Sequence, residues 1–178
     1  MISMVAEWEF TSMTDGQVSS EREALDRWFG ESSGSGIVET SRALQAISPR
    51  VVVWAAVSAL RALLDDATPD PMVDRNHLDR ARMVVDAIDQ WLSQPSEELR
   101  SLVRRRTGHA EELWNELAGD TGQPEPILAA ATNTGWCVIH PDQLFNLTPA
   151  LGEAAKRMGE ERVLLSVRSA LASSFPWT

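Results

Sequence analysis

The longest apolar run of the chain lies between residues 51 and 64, where only Ser58 and Arg61 are polar. If this stretch is helical, apolar side chains point outward all round the helix. Such a helix belongs in the middle of a bundle rather than on a surface. It is too short to cross a bilayer, which requires about 20 apolar residues.

The residues on either side of this run predict where the helix begins and ends. Ser48 can cap the N-terminus, and Pro49 suits the first helical position, where a missing N–H has no cost. Asp65 and Asp66 end the apolar run, and two prolines follow shortly afterwards. The sequence therefore predicts a buried central helix over about residues 49–66.

Helical spacing of apolar residues predicts further helices on both sides of the central one. The clearest pattern is in residues 73–93, where apolar residues recur in steps of three and four. Gly108 and Gly159 are expected weak points, and residues 133–135 are expected to interrupt a helix. No segment alternates with the period of a strand, so we expect an all-α, single-domain bundle of six to eight helices. The other predicted helices cover residues 20–30, 37–47, 97–118, 126–139 and 149–173, the last of them as one helix or a helix pair.

A glycine- and serine-rich stretch (ESSGSG) at residues 31–36 has the composition of a flexible connector. It divides the chain into two parts. Residues 1–36 form an acidic N-terminal appendage with a short helix and this linker, and residues 37–178 form the bundle domain. The length of 178 residues suits one main domain.

The charge of the chain is strongly negative, with 26 acidic and 16 basic residues and a net charge of −10. Residues 1–40 hold eight acids and two arginines. Solubility is the simpler explanation of such a charge. As a binding signal, the charge disfavours nucleic acid and anionic membranes and favours a basic protein partner. Tryptophan is common at interfaces, and the candidate partner-binding residues are Glu7, Trp8, Glu9, Glu21, Glu23, Asp26 and Trp28.

Cys137 and His140 are three residues apart, with Asp142 just beyond them. A structural zinc site needs four ligands, and the remaining histidines, His77 and His109, are isolated, so we expect no metal. A Cys–His nucleophile requires an accessible, activated thiolate, whereas the apolar residues beside this cysteine predict a buried thiol. We therefore expect no catalytic residue here.

Other signatures of enzymes are missing from the sequence. It has no glycine-rich phosphate loop and no dinucleotide-binding fingerprint, so no cofactor is expected. The paired carboxylates lie at predicted helix ends or on polar faces, where a solvated surface is the better interpretation. Acids replace the basic region of a signal peptide near the N-terminus, which favours a cytoplasmic location.

Several short stretches between about residues 42 and 170 follow the pattern of a known class of protein. They are Trp54-Ala55 in the apolar helix, Arg75 after the proline-broken turn, the AIDQWLSQPSEELR stretch from Ala87 to Arg100, the Ala129–Ala131 helix that ends at His140, and Glu161-Arg162. Together they resemble small all-helical bacterial proteins identified as immunity proteins of polymorphic toxin systems or as uncharacterised neighbours of secretion loci. The resemblance implies a helical fold and a toxin partner, and it transfers no functional residue.

Three hypotheses for the function follow. The first is a non-enzymatic protein-binding module of a bacterial interference or defence locus, such as an immunity protein that masks a basic toxin. The second is a scaffold or self-associating adaptor, in which residues 1–30 dock on another subunit of a homo-oligomer. The third is a small-molecule sensor or enzyme with a pocket near Cys137, His140 and the central helix.

Overall fold

The computed structural model describes residues 15–31, 36–121, 126–140 and 147–173, which form eight helices and no strand. The prediction of an all-α, single-domain bundle is therefore confirmed. None of the helices in these ranges is both long and apolar enough to cross a membrane. The helices are α1 (Asp15–Glu31), α2 (Ile37–Ile47), α3 (Pro49–Ala67), α4 (Arg75–Ser93), α5 (Glu97–Thr121), α6 (Pro126–Ile139), α7 (Leu147–Met158) and α8 (Glu160–Ser173).

Helix α3 is the central helix that the apolar run predicts. Residues 51–57 are all buried, and α3 packs against α2, α4, α6, α7 and α8. The Ser48 side chain accepts a hydrogen bond of 3.2 Å from the backbone N–H of Val51, as expected for an N-cap. Most of α3 is buried, which explains its long apolar run, and its one solvent-facing side carries Ser58, Arg61 and Asp65.

Two of the helix predictions differ from the structure. Helix α1 begins five residues earlier than expected, because a single glycine at position 16 costs only about 1 kcal/mol and does not end the helix. Helix α6 continues through residues 133–135, which were expected to interrupt it. Helix α5 runs through Gly108 as one helix, as predicted. The predicted weak point at Gly159 is real: its φ of +87° favours glycine, and it separates α7 from α8.

Helix α1 packs against the rest of its own chain. The Glu21 carboxylate lies 3.8 Å from the Arg50 guanidinium at the start of α3, and both side chains are buried. On α8, Arg168 lies over the Trp28 ring at 5.1 Å and donates a hydrogen bond of 2.9 Å to the Phe29 carbonyl oxygen. Residues 32–35 of the proposed linker lie outside the described residues.

Helices α5 and α6 approach each other closely where Gly135 faces Thr107. A Cβ atom on Gly135 would lie 2.1 Å from Thr107 Oγ1 and 3.0 Å from its methyl carbon. Thr107 is fully buried, so it cannot move aside into solvent. Glycine at position 135 therefore sets the distance between these two helices.

Candidate functional site

Two of the candidate partner-binding residues are buried in the structure. Glu21 is 9% exposed and Trp28 is 7% exposed. Burial lowers the pKa of the Arg50 guanidinium, and the nearby Glu21 carboxylate acts in the opposite direction. These two residues hold α1 on the bundle, and in this conformation they do not form part of an exposed surface.

Two other candidates, Glu23 and Asp26, are exposed. They lie three residues apart on α1 and therefore share one face of that helix. Neither forms an ion pair with any residue that the structure describes. The remaining candidates, residues 7–9, lie outside the described residues. The exposed part of the predicted surface is thus the Glu23–Asp26 face of α1.

Cys137 and His140 differ sharply in exposure. Cys137 is buried within α6, whereas His140 is exposed directly after the helix, with its ring stacked on Trp136 at 5.5 Å. Asp142 lies outside the described residues. Within the described ranges, no group of three or more histidine, cysteine or acidic residues is placed to hold a metal ion. A buried thiol of this kind behaves as a small hydrophobic group.

A groove runs along the surface between α3 and α8. It consists of two adjoining clefts with volumes of about 230 and 330 Å³. Ala62, Asp65 and Ser166 line both clefts, so the two form one continuous feature, which we call the α3–α8 groove. One end reaches Asp89 on α4, and the other reaches Met158 at the end of α7.

Small side chains on both helices leave this groove open. Ser58 and Ala62 line it from α3, and Ser166 and Ala170 line it from α8. Each pair is four residues apart and so lies on one face of its helix. Larger side chains at these positions would interdigitate across the interface and fill the space.

The charges that line the α3–α8 groove are unequally compensated. Arg61 pairs with Asp89, and Arg162 pairs with Asp66 at 2.9 Å. Asp65, where the two clefts meet, forms no ion pair with any described residue. The groove therefore presents one uncompensated carboxylate between two neutralised arginines.

An ion-pair network lies near the Met158 end of the groove. Arg157 at the end of α7 lies 3.2 Å from an Asp66 oxygen and 2.7 Å from an Asp70 oxygen. Asp70 also accepts a hydrogen bond of 3.0 Å from the Met72 backbone N–H. The Met72 N–H and then Arg157 lower the pKa of Asp70, because both stabilise its ionised form. The network fixes the α7–α8 junction against the end of α3.

This lowered pKa predicts a specific loss of stability in acid. A carboxylate whose pKa is lower in the folded than in the unfolded state stabilises the fold at pH values above its ordinary pKa of about 4. This stabilisation is lost as the pH falls from about 4 through the lower pKa of the folded state. At neutral pH, wild-type protein is therefore expected to have a higher melting temperature than Asp70→Asn. This difference in melting temperature should shrink below about pH 4. Thermal melts of both proteins across this range make the comparison. A difference that did not change with pH would contradict the assignment.

From the sequence alone, Asp65 was predicted only to be one of two acids that end the central helix. The groove around it depends on α8, about a hundred residues further along the chain. A local signal was nevertheless present, since Ser166 and Ala170 repeat on α8 the four-residue spacing of Ser58 and Ala62 on α3. Single-sequence periodicity could not show that the two faces meet.

Comparison with protein-family models, curated proteins and solved structures gives no match for the chain. The resemblance to immunity proteins therefore stays a prediction from short sequence patterns. The case for a function rests on the charge and shape of the molecule itself.

Proposed function

We propose that the chain is a non-enzymatic protein-binding module whose partner is a basic protein. The observation that carries this proposal is the net charge of −10 together with exposed carboxylates, such as Glu23 and Asp26, that form no ion pair with any described residue. A molecule with such a charge attracts a positively charged protein over several ångströms and repels nucleic acid and anionic lipid.

The physical advantage of this arrangement is fast and selective association. Complementary charge raises the rate at which two proteins meet in the correct orientation, and like charges discourage other partners. The helical bundle supplies a preformed surface, which keeps the entropic cost of association low. An inhibitor that must capture its target quickly requires both properties.

The particular form of this function that the sequence resemblance suggests is an immunity protein. In that form, the chain stays in the cytoplasm of the producing cell and covers the active surface of a basic toxin. Two other hypotheses have less support. The described part of residues 1–30 packs on its own bundle rather than offering a site to another subunit, and Cys137 is buried.

Charge reversal on α1 tests the proposal. Affinity capture from an extract of the native host, followed by mass spectrometry, is carried out with wild-type protein and with the variant E23K/D26K. We expect the variant to retain a basic protein at least about tenfold less well, because both substitutions convert attraction into repulsion.

A matched control separates this local effect from the change in total charge. E112K/E116K makes the same charge change at two exposed acids of α5. It should weaken capture only slightly, because its effect is long-range and screened by salt. Equal losses in both variants would point to total charge alone, and unchanged capture by both would contradict an electrostatic partner surface.

A further inference from the structure

We propose that the α3–α8 groove receives an arginine side chain of the partner protein and that Asp65 is its counter-ion. This inference rests on the proposed function, since it assumes a basic protein partner. It adds a defined pocket to the general attraction between an acidic surface and a basic one.

The groove has enough space for a long side chain. Asp65 lies where the two clefts meet, flanked by Ala62 one turn earlier on α3 and by Ser166 on α8. The clefts, of about 230 and 330 Å³, far exceed the roughly 15 Å³ needed by one water molecule. The space beside the carboxylate is therefore open to a group much larger than water.

The electrostatics of the groove favour a cation at this point. Arg61 and Arg162 are each paired with a carboxylate, so an incoming positive charge meets no uncompensated arginine. Among the described residues that line the groove, five are charged, three aspartates and two arginines, which leaves one excess negative charge at Asp65. An anion such as phosphate would meet a carboxylate instead of a free cation.

The position of Asp65 in its helix also favours binding of a cation. It lies in the last turn of α3, where no basic residue of the helix is present. The negative end of the helix dipole disfavours a carboxylate there. Asp66 in the same turn is compensated by Arg157 and Arg162, whereas Asp65 is compensated by no described residue. A partner cation would supply the missing compensation.

Arginine suits this site better than lysine. Its planar guanidinium donates two parallel hydrogen bonds to one carboxylate, whereas an ammonium acts as a compact point charge. The guanidinium of arginine is also less strongly hydrated than the ammonium of lysine, so it loses water more easily on entering the groove. Because Asp65 is exposed, a single arginine should bind weakly by itself and contribute orientation within a larger interface.

The test uses a small probe in place of the unidentified partner. The full chain, labelled with ¹⁵N, is titrated with a capped Gly-Arg-Gly peptide and with its citrulline counterpart, which has nearly the same shape but no charge. We expect the backbone amide signals of Ala62, Asp65 and Ser166 to shift progressively with the arginine peptide and to stay in place with the citrulline peptide.

Two variants assign this effect to one carboxylate. Asp65→Asn should weaken arginine-peptide binding about fivefold, as expected for the loss of one exposed ion pair. The control Glu112→Gln, which neutralises an exposed acid on α5, should bind as wild type does. Asp65→Asn should also melt at or above the wild-type temperature, because it removes a carboxylate from the negative end of α3. A merely structural role for Asp65 predicts a lower melting temperature.

The outcomes distinguish this inference from the proposed function. Shifts confined to the groove and weakened by Asp65→Asn support the pocket. Shifts centred on Glu23 and Asp26, with the groove unchanged, overturn the pocket and leave the acidic-module proposal standing. Equal shifts with the citrulline peptide, or no shift with either peptide, also overturn the pocket. The proposed function is judged independently by the capture experiment.

Discussion

Replacing Gly135 with alanine is expected to destabilise the protein by about 3 kcal/mol, at the upper end of the usual cost of overpacking a core. The new methyl group would lie 2.1 Å from Thr107 Oγ1. Because Thr107 is fully buried, α5 and α6 must move apart or the threonine must leave its rotamer. Thermal and urea denaturation should show a fall in melting temperature of roughly 6–12 °C.

A second substitution tests whether this contact is the cause. Thr107→Ala in the Gly135→Ala background removes the atoms that clash, so the double variant should recover a large part of the lost stability. Gly108→Ala is a matched control on α5, because no atom lies within 4 Å of its added Cβ. It should be neutral or stabilising by up to about 1 kcal/mol through helix propensity. Strictly additive effects of the first two substitutions would contradict the explanation.

Removing the Glu21 carboxylate is expected to release α1 from the bundle. Glu21→Ala breaks the buried ion pair between Glu21 and Arg50, and breaking such a pair typically costs about 3 kcal/mol or more. The separation of 3.8 Å places this pair at the lower end of that range. Hydrogen exchange should show the amides of α1 losing protection first, since the pair joins this helix to α3.

The exposed neighbour Glu23 provides the control for this prediction. Glu23→Ala removes a carboxylate from the same helix, but at a solvated position, so it should change stability by no more than about 0.5 kcal/mol. The double variant Glu21→Leu with Arg50→Met should restore much of the stability, because an apolar pair of similar volume often replaces a buried ion pair without loss. Unchanged α1 protection in Glu21→Ala would contradict the docking role of the pair.

The parts of the fold that follow from local patterns were predictable from the sequence. The buried central helix was recognisable because apolar residues cover most of its surface, and Ser48 and Pro49 mark its start. Gly159 was a predicted weak point because a glycine inside a helical pattern is costly unless it ends the helix. In each of these cases, residues that are close in the sequence determine the local structure by themselves.

The parts that depend on distant residues were not predictable in this way. In the sequence, Glu21 looks like an exposed acid near the start of a helix. Its burial is explained only by Arg50, which lies beside it in the fold. Gly135 looked like an interruption of a helix, whereas its role is to let Thr107 approach. The α3–α8 groove requires two helices whose small residues match across the interface. Periodicity places residues on a face, but it does not identify the opposite face.

The central claim is that this acidic bundle recognises a basic protein through its charge. The most direct test is affinity capture from host extract at low ionic strength, about 0.01 M, and again at about 0.15 M, where the Debye length falls from about 30 to 8 Å. The claim predicts a basic protein that is strongly retained at low salt, mostly lost at higher salt, and poorly retained by E23K/D26K. Retention of an acidic protein, or recovery of this chain alone with a multimeric mass, would contradict it.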